Sequence, residues 1–332
     1  MNLPNHLPFF WVKKKQNPNL IKMKLQNSLF LLLLILVSFS CDSLEDKKGR
    51  FLLKGNEKLK ENDPKSALGF YAEALELDTT YSDAYFNKAM AHLRLNQLEE
   101  AISDFSLAIK YKESYGEAYF ERGLSYLDNG EYYKGREDAQ WLIANDPENW
   151  KSHFLNGLVE EKLKNYPEAL TSFEKAFEFN PANSDLLVNQ ATILYYQKEY
   201  TSAQNLIDQA EQINPSEPNL HNLRSMILFD LGNYPAALES VEKAITLNNQ
   251  QAYFYNNKGM YLLFLDKPEE GLDLINQSIQ MDPKNPFALR NKGIYYVMKG
   301  DKISALQYLD ELYKSYPEMD LLKEYVEKAQ AL

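Results

Sequence analysis

A pattern that returns every 34 residues governs this chain. The stretch from Trp150 to Asn183 shows it most clearly. Its first half places Phe154 and Leu158 on one helical face and leaves a gap at Gly157; after a break at Asn165 to Pro167, Ala169, Phe173 and Ala176 follow at spacings of four and three. Those spacings trace one side of a 3.6-residue helix. Moving the frame by 34 residues in either direction, with no insertion, gives eight units that start at Lys48, Ser82, Gly116, Trp150, Ser184, Pro218, Ala252 and Pro286. Position 8 of the unit reads Gly55, Ala89, Gly123, Gly157, Ala191, Ser225, Gly259 and Gly293, and position 20 reads Ala67, Ala101, Gly135, Ala169, Ala203, Ala237, Gly271 and Ala305. Two columns that stay small throughout are what closely approaching helix backbones need. A chain built this way needs no single large core, because each unit packs only on its neighbours.

The period and the two small columns resemble the tetratricopeptide repeat, over Lys48 to Met319. Position 32, usually proline in that family, is Pro147, Pro181, Pro215, Pro283 and Pro317; Thr79, Glu113 and Asn249 depart from it, which predicts looser turns there. The resemblance implies an all-α fold, a right-handed superhelical solenoid of eight helix pairs at 48–81, 82–115, 116–149, 150–183, 184–217, 218–251, 252–285 and 286–319. Residues 320–332 are expected to form a capping helix started by Asp320, with Leu321, Leu322, Tyr325, Val326 and Ala329 on its apolar face. In the family, first-helix positions 2, 5, 9, 12 and 13 line a concave surface. Those columns nominate Phe86, Met90, Phe120, Leu124, Phe154, Leu158, Tyr195, Asn222, Phe229, Tyr253, Asn256, Met260 and Arg290 as a groove, wetter and more aromatic towards its end. The Phe86, Phe120 and Phe154 strip is open to two readings, ligand surface or padding between adjacent first helices. Family members that grip a peptide carboxylate use Lys and Arg; here Glu117 and Glu121 would repel one.

Before the repeats, residues 1–22 carry no apolar period and are expected to be unstructured or a start-site artefact, with translation beginning at Met23. Residues 23–40 place Lys24 before an apolar run from Leu29 to Phe39, followed by Ser40 and then Cys41, the one cysteine of the chain. That is the layout of a secretory signal, and the run is 11 residues where a membrane span needs about 20. The segment resembles a bacterial lipoprotein signal, which implies lipid attachment at Cys41, a short linker at 41–47, and a home in a bacterial cell envelope, anchored to a membrane by that lipid. A cysteine with no second cysteine to pair with cannot form a disulfide within the chain.

Motifs that carry chemistry are missing from the repeats: there is no glycine-rich phosphate loop, GxSxG elbow, HExxH or calcium loop. His153 and His221 fall at position 4, where other units have Tyr85, Tyr119 and Tyr255, so they read as packing rings rather than metal ligands. The chain is therefore expected to be no enzyme and to need no cofactor or metal. Of its 36 basic residues five precede Cys41, leaving 31 against 47 acidic ones, a net charge of −16 that disfavours nucleic acid as a partner. The reading that results is a membrane-anchored scaffold or adaptor lipoprotein that binds a protein or peptide segment in its groove, in envelope assembly or secretion. A scaffold for polysaccharide export or glycan handling is the alternative, and self-association through the groove is a further partner class.

Overall fold

A computed structural model describes residues 43–332, and among them every regular element is an α-helix. The chain divides into two compact units, one ending at Glu113 and one spanning Ser114–Leu332. The first holds α1 (Leu44–Lys60), α2 (Pro64–Leu77), α3 (Ser82–Arg94) and α4 (Leu98–Tyr111). The second holds α5 (Gly116–Asp128), α6 (Tyr132–Asn145), α7 (Trp150–Lys162), α8 (Tyr166–Phe179), α9 (Ser184–Tyr196), α10 (Tyr200–Ile213), α11 (Pro218–Asp230) and α12 (Tyr234–Leu247). It continues through α13 (Ala252–Leu263), α14 (Pro268–Met281), α15 (Pro286–Met298), α16 (Lys302–Ser315) and α17 (Leu322–Ala331). Within each unit, consecutive helices pack on one another, so odd-numbered first helices alternate with even-numbered second helices. The apolar run before Cys41, and Cys41 itself, lie outside the described residues. Among the described ones no helix is long and apolar enough to cross a membrane.

The small columns sit at the closest contacts. Ala67, Ala101, Ala169, Ala203, Ala237 and Ala305 are all fully buried. At Gly157 a Cβ would come within 2.5 Å of the Phe173 ring, which fills the gap the glycine leaves. Polar pins repeat as well: Lys88 reaches Asp104, Arg122 reaches Asp138 and Asn156 reaches Ser172, each joining a first helix to the second helix of its own pair. Recurrence of the same bond at the same offset shows that the register holds across these units.

Each helix pair turns through a residue in the left-handed region at position 15: Asn62, Asn96, Gly130, Lys164, Lys198, Gly232, Asp266 and Gly300, with φ between 56° and 78°. The next N–H then reaches back to a carbonyl five residues earlier, as Asn165 does to Glu160 at 2.8 Å, closing the helix end. Turns between repeats use another recurrent bond, from position 4 to the carbonyl at position 32 of the unit before. Tyr85 and Tyr255 donate their hydroxyls to Thr79 and Asn249; His153 and His221 donate Nε2–H to Pro147 and Pro215 at 2.7 and 2.9 Å. The histidines thus replace tyrosine as ring and donor together. The turns at Thr79 and Asn249 hold the same bond as the proline turns, at 3.3 and 3.1 Å.

Both ends differ from the sequence expectation. Helix α1 begins at Leu44, inside the expected 41–47 linker, because Ser43 and Asp46 form a reciprocal capping box at 3.0 and 3.2 Å. At the other end Asp320 does not cap α17. Leu321 occupies the cap position with φ 64° and no side-chain bond, while the Asp320 carbonyl accepts from Arg290 Nη1 at 2.9 Å. The expected apolar face is in place, with Leu322, Tyr325, Val326 and Ala329 buried.

Candidate binding surface

In the first unit, Phe86 and Met90 are half-buried, and the Phe86 ring packs 5.6 Å from Phe105 of the following helix. In the second, Phe120, Leu124 and Leu158 border the cluster around Leu127, Leu142, Leu155 and Val159. Phe154 lies 6.1 Å from Phe173. Each ring of the phenylalanine strip therefore has one edge in the padding between helices and another facing out, and the Lys151 ammonium sits 5.4 Å over Phe120.

The later columns are drier than the sequence implies. Asn222, Asn256, Met260 and Arg290 are buried, at 6%, 2%, 3% and 9% exposure, so they form the interior of this stretch and not an open lining. Asn257 donates to Asn222 at 2.9 Å and Asn291 donates to Asn256 at 2.9 Å, each one repeat on. Arg290 donates through Nε and Nη2 to the Asn291 amide oxygen. Burial lowers the guanidinium to about 10, still protonated at neutral pH, and its hydrogen bonds offset part of the desolvation. Asn87 and Asn189, by contrast, bond back to their own helices at Asp83 and Asp185. Phe229 is enclosed by Tyr234, Tyr261 and Phe264, with centroids 4.9 to 5.2 Å away.

What stays open is narrower and lies mostly at the edges of the nominated columns. Tyr196, Tyr253 and Phe287 are 45%, 36% and 49% exposed on first helices α9, α13 and α15. Tyr253 is steered by a 2.6 Å bond from its hydroxyl to Asn219. Tyr196 belongs to an arc of phenols: its ring centroid is 5.8 Å from Tyr166 and 5.8 Å from Tyr195, which in turn is 6.0 Å from Tyr200. The Tyr200 hydroxyl donates to Asp230 at 3.1 Å. Burial pushes the Tyr196 phenol up to about 12 although the ring is half in solvent.

Glu161 stands beside this arc, and its charge is the next cause that raises both Tyr166 and Tyr196. Sequence reasoning did not nominate Glu161, Tyr166, Tyr200 or Asp230. A signal for Glu161 was present: position 12 reads Leu59, Leu93, Leu127, Glu161, Tyr195, Phe229, Leu263 and Val297, and one carboxylate interrupts an otherwise apolar or aromatic column. Among the described residues no group of three or more His, Cys, Asp and Glu could hold a metal ion.

Family models described as tetratricopeptide repeat match residues 70–103, 120–184 and 252–285, and one described as anaphase-promoting complex, cyclosome, subunit 3 matches 162–244. The chain is a tetratricopeptide repeat protein. A solved tetratricopeptide repeat protein from Parabacteroides merdae is 19% identical with a TM-score of 0.67, covering 75% of this chain and 98% of that one. Yeast Tom70 is 18% identical with a TM-score of 0.58, over 86% of this chain and 64% of its own. At these identities the likeness speaks to the fold. The translocon at the outer membrane of chloroplasts 64 from Pisum sativum is 32% identical over 130 residues, 39% of this repeat protein and only 16% of that relative's length. The repeat fold is that of a protein–protein interaction scaffold.

Proposed function

We propose that this repeat protein is a non-catalytic adaptor of the bacterial envelope, anchored by lipid at Cys41, that holds a segment of a partner protein against its first helices. The observation that carries the binding part is the exposure of Tyr196, Tyr253 and Phe287 on first helices of one unit whose neighbouring columns are packed shut. Large rings left in solvent beside a dry interior are the composition of an interaction surface. The anchoring part is supported by the basic start, short apolar run and following cysteine at 23–41. Helix α1 begins three residues after Cys41, a separation of about 10 Å at most, so the repeats would stand close to the bilayer. Radiolabelled fatty acid should label the wild type and leave Cys41→Ser unlabelled and released from membranes. Unlabelled wild-type protein would remove the lipid anchor from the account. Cross-linking of membranes followed by mass spectrometry names the partner.

A further inference from the structure

The two terminal helices are finished differently. Helix α17 buries Leu322, Tyr325, Val326 and Ala329 in the cluster that holds Leu309 and Leu312 of α16. Helix α1 packs on α2 and α3, and among the described residues no helix precedes it. Gly55 and Leu59 are its buried residues, whereas Leu44 and Leu53 are 57% and 62% exposed. Lys47, Arg50 and Lys54, spaced three and four apart, run down the exposed side beside Leu53, and Lys60 follows it two turns on. Charge sets this helix apart as well. Residues 44–60 carry six basic and three acidic residues, a net +3, while Ser114–Leu332 carries 20 basic against 33 acidic, a net −13. Some of the charges on α1 are already engaged: Lys48 lies 2.8 Å from Glu45 and 2.6 Å from Asp78, Lys58 lies 2.6 Å from Glu61, and Asp46 belongs to the capping box. The surplus on the outer side is therefore carried by Lys47, Arg50, Lys54 and Lys60 against Glu57. An exposed leucine among bases, on the terminal helix of a solenoid, calls for a cover that is apolar and anionic at once.

We propose that the outer side of α1 docks on the surface of an anionic phospholipid bilayer, with Lys47, Arg50 and Lys54 on the headgroups and Leu53 pressed into the interface beside them. The inference rests on the reading of Cys41 as the lipid-bearing residue and adds how the protein meets the membrane that holds it. From Cys41 to Leu44 is about 10 Å at most, so the lipid delivers α1 to headgroup level. Basic side chains just beyond an anchor are attracted by anionic lipids, their long stems reach the headgroups, and leucine adds apolar area to bury. A second copy is a poor cover, because two such faces would bring the same bases together. The chain before Cys41 is no better, since it carries Lys13, Lys14, Lys15, Lys22 and Lys24 and no acidic residue. A nucleic acid would meet the bases but leave Leu53 in water, and the acidic unit from Ser114 would repel it. The same repulsion keeps that unit off an anionic bilayer and confines the contact to α1.

The test uses the full-length protein reconstituted into vesicles of phosphatidylglycerol and phosphatidylcholine, or of phosphatidylcholine alone. Leu53→Cys and, separately, Ile303→Cys, at a site 84% exposed on α16, take a nitrobenzoxadiazole label, Cys41 being blocked by its lipid. A phosphatidylcholine spin-labelled high on its acyl chain is the quencher. The label at 53 should be quenched several-fold more on the mixed vesicles than on phosphatidylcholine, and the label at 303 on neither. Lys47→Gln, Arg50→Gln and Lys54→Gln together should abolish the difference, each base being worth about fivefold in surface affinity. Lys175→Gln, Lys284→Gln and Lys314→Gln, all exposed in the unit from Ser114, change the net charge equally and should leave it in place. High salt should reproduce the loss with every base of α1 present, which decides the matter even if the triple α1 variant melts low. No quenching at 53 on the mixed vesicles, equal quenching at 53 and 303, or equal loss from the two triple variants overturns the docking. A blue shift at 53 that grows with protein concentration in detergent, without vesicles, gives the face to a second copy and overturns it too. Two labels per chain in Leu53→Cys would mean that Cys41 bears no lipid and would remove the anchor; the docking then stands if the mixed vesicles still quench position 53, and falls with the anchor if they do not.

Discussion

Lys198 and Gly232 occupy the same position of consecutive repeats with φ of 61° and 78°, and only one of them is a residue that adopts this conformation freely. An L-residue in the left-handed region costs roughly 1 to 2 kcal/mol, so Lys198→Gly should raise stability by about 1 kcal/mol and Gly232→Ala should lower it by a similar amount, measured by chemical denaturation. The column is legible in the sequence, since Gly, Asn and Asp fill six of its eight places, although two lysines obscure the rule. The buried asparagine ladder was harder to read. Asn222 and Asn256 look like wet groove residues in a column plot, and nothing local shows that Asn257 and Asn291 reach back to them from the next repeat.

At the scale of helices, the small columns fixed the register because close helix approach leaves no room for a side chain. The end points depended on caps that the column pattern does not encode. Ser43 and Asp46 extend α1 backwards, and a left-handed Leu321 moves the start of α17 past Asp320. Phe173 and Phe120 separate packing from surface. Phe173 is fully buried, and its replacement by Ala should cost about 3 to 5 kcal/mol. Phe120 is half-buried, so Phe120→Ala should cost clearly less in a melt of the same protein. Equal losses would make the phenylalanine strip padding alone. Glu211 ties three successive helices together, accepting from Arg224 at 2.8 Å and from Lys243 at 3.2 Å. The Arg224 bond is the main cause that holds its carboxyl down at about 2, against about 4.3 in an unfolded chain. With the folded value depressed, its contribution is fully present above the unfolded value and is lost as pH falls towards 2. Glu211→Gln should therefore lower the melting temperature at pH 7 and flatten its decline between about pH 4 and pH 2. High salt should shrink both effects, since the side chain is about one-third exposed.

At the scale of the molecule, a repeat chain distributes its stability over neighbour contacts, and its function has to be written on whatever face those contacts leave open. In the unit from Ser114 onward that face is marked by Tyr196 on α9, while Phe179 on the preceding second helix, 40% exposed, stacks on His153 with centroids 5.5 Å apart. The two rings match in size and exposure, so chemistry alone does not favour either as a capture point. A benzoylphenylalanine photoprobe placed at position 196 and, separately, at position 179, followed by irradiation of intact cells, tests the central claim most directly. The account predicts a discrete covalent adduct from position 196 and none from position 179; adducts from position 179 with none from position 196 would put the binding surface on the second helices and contradict it.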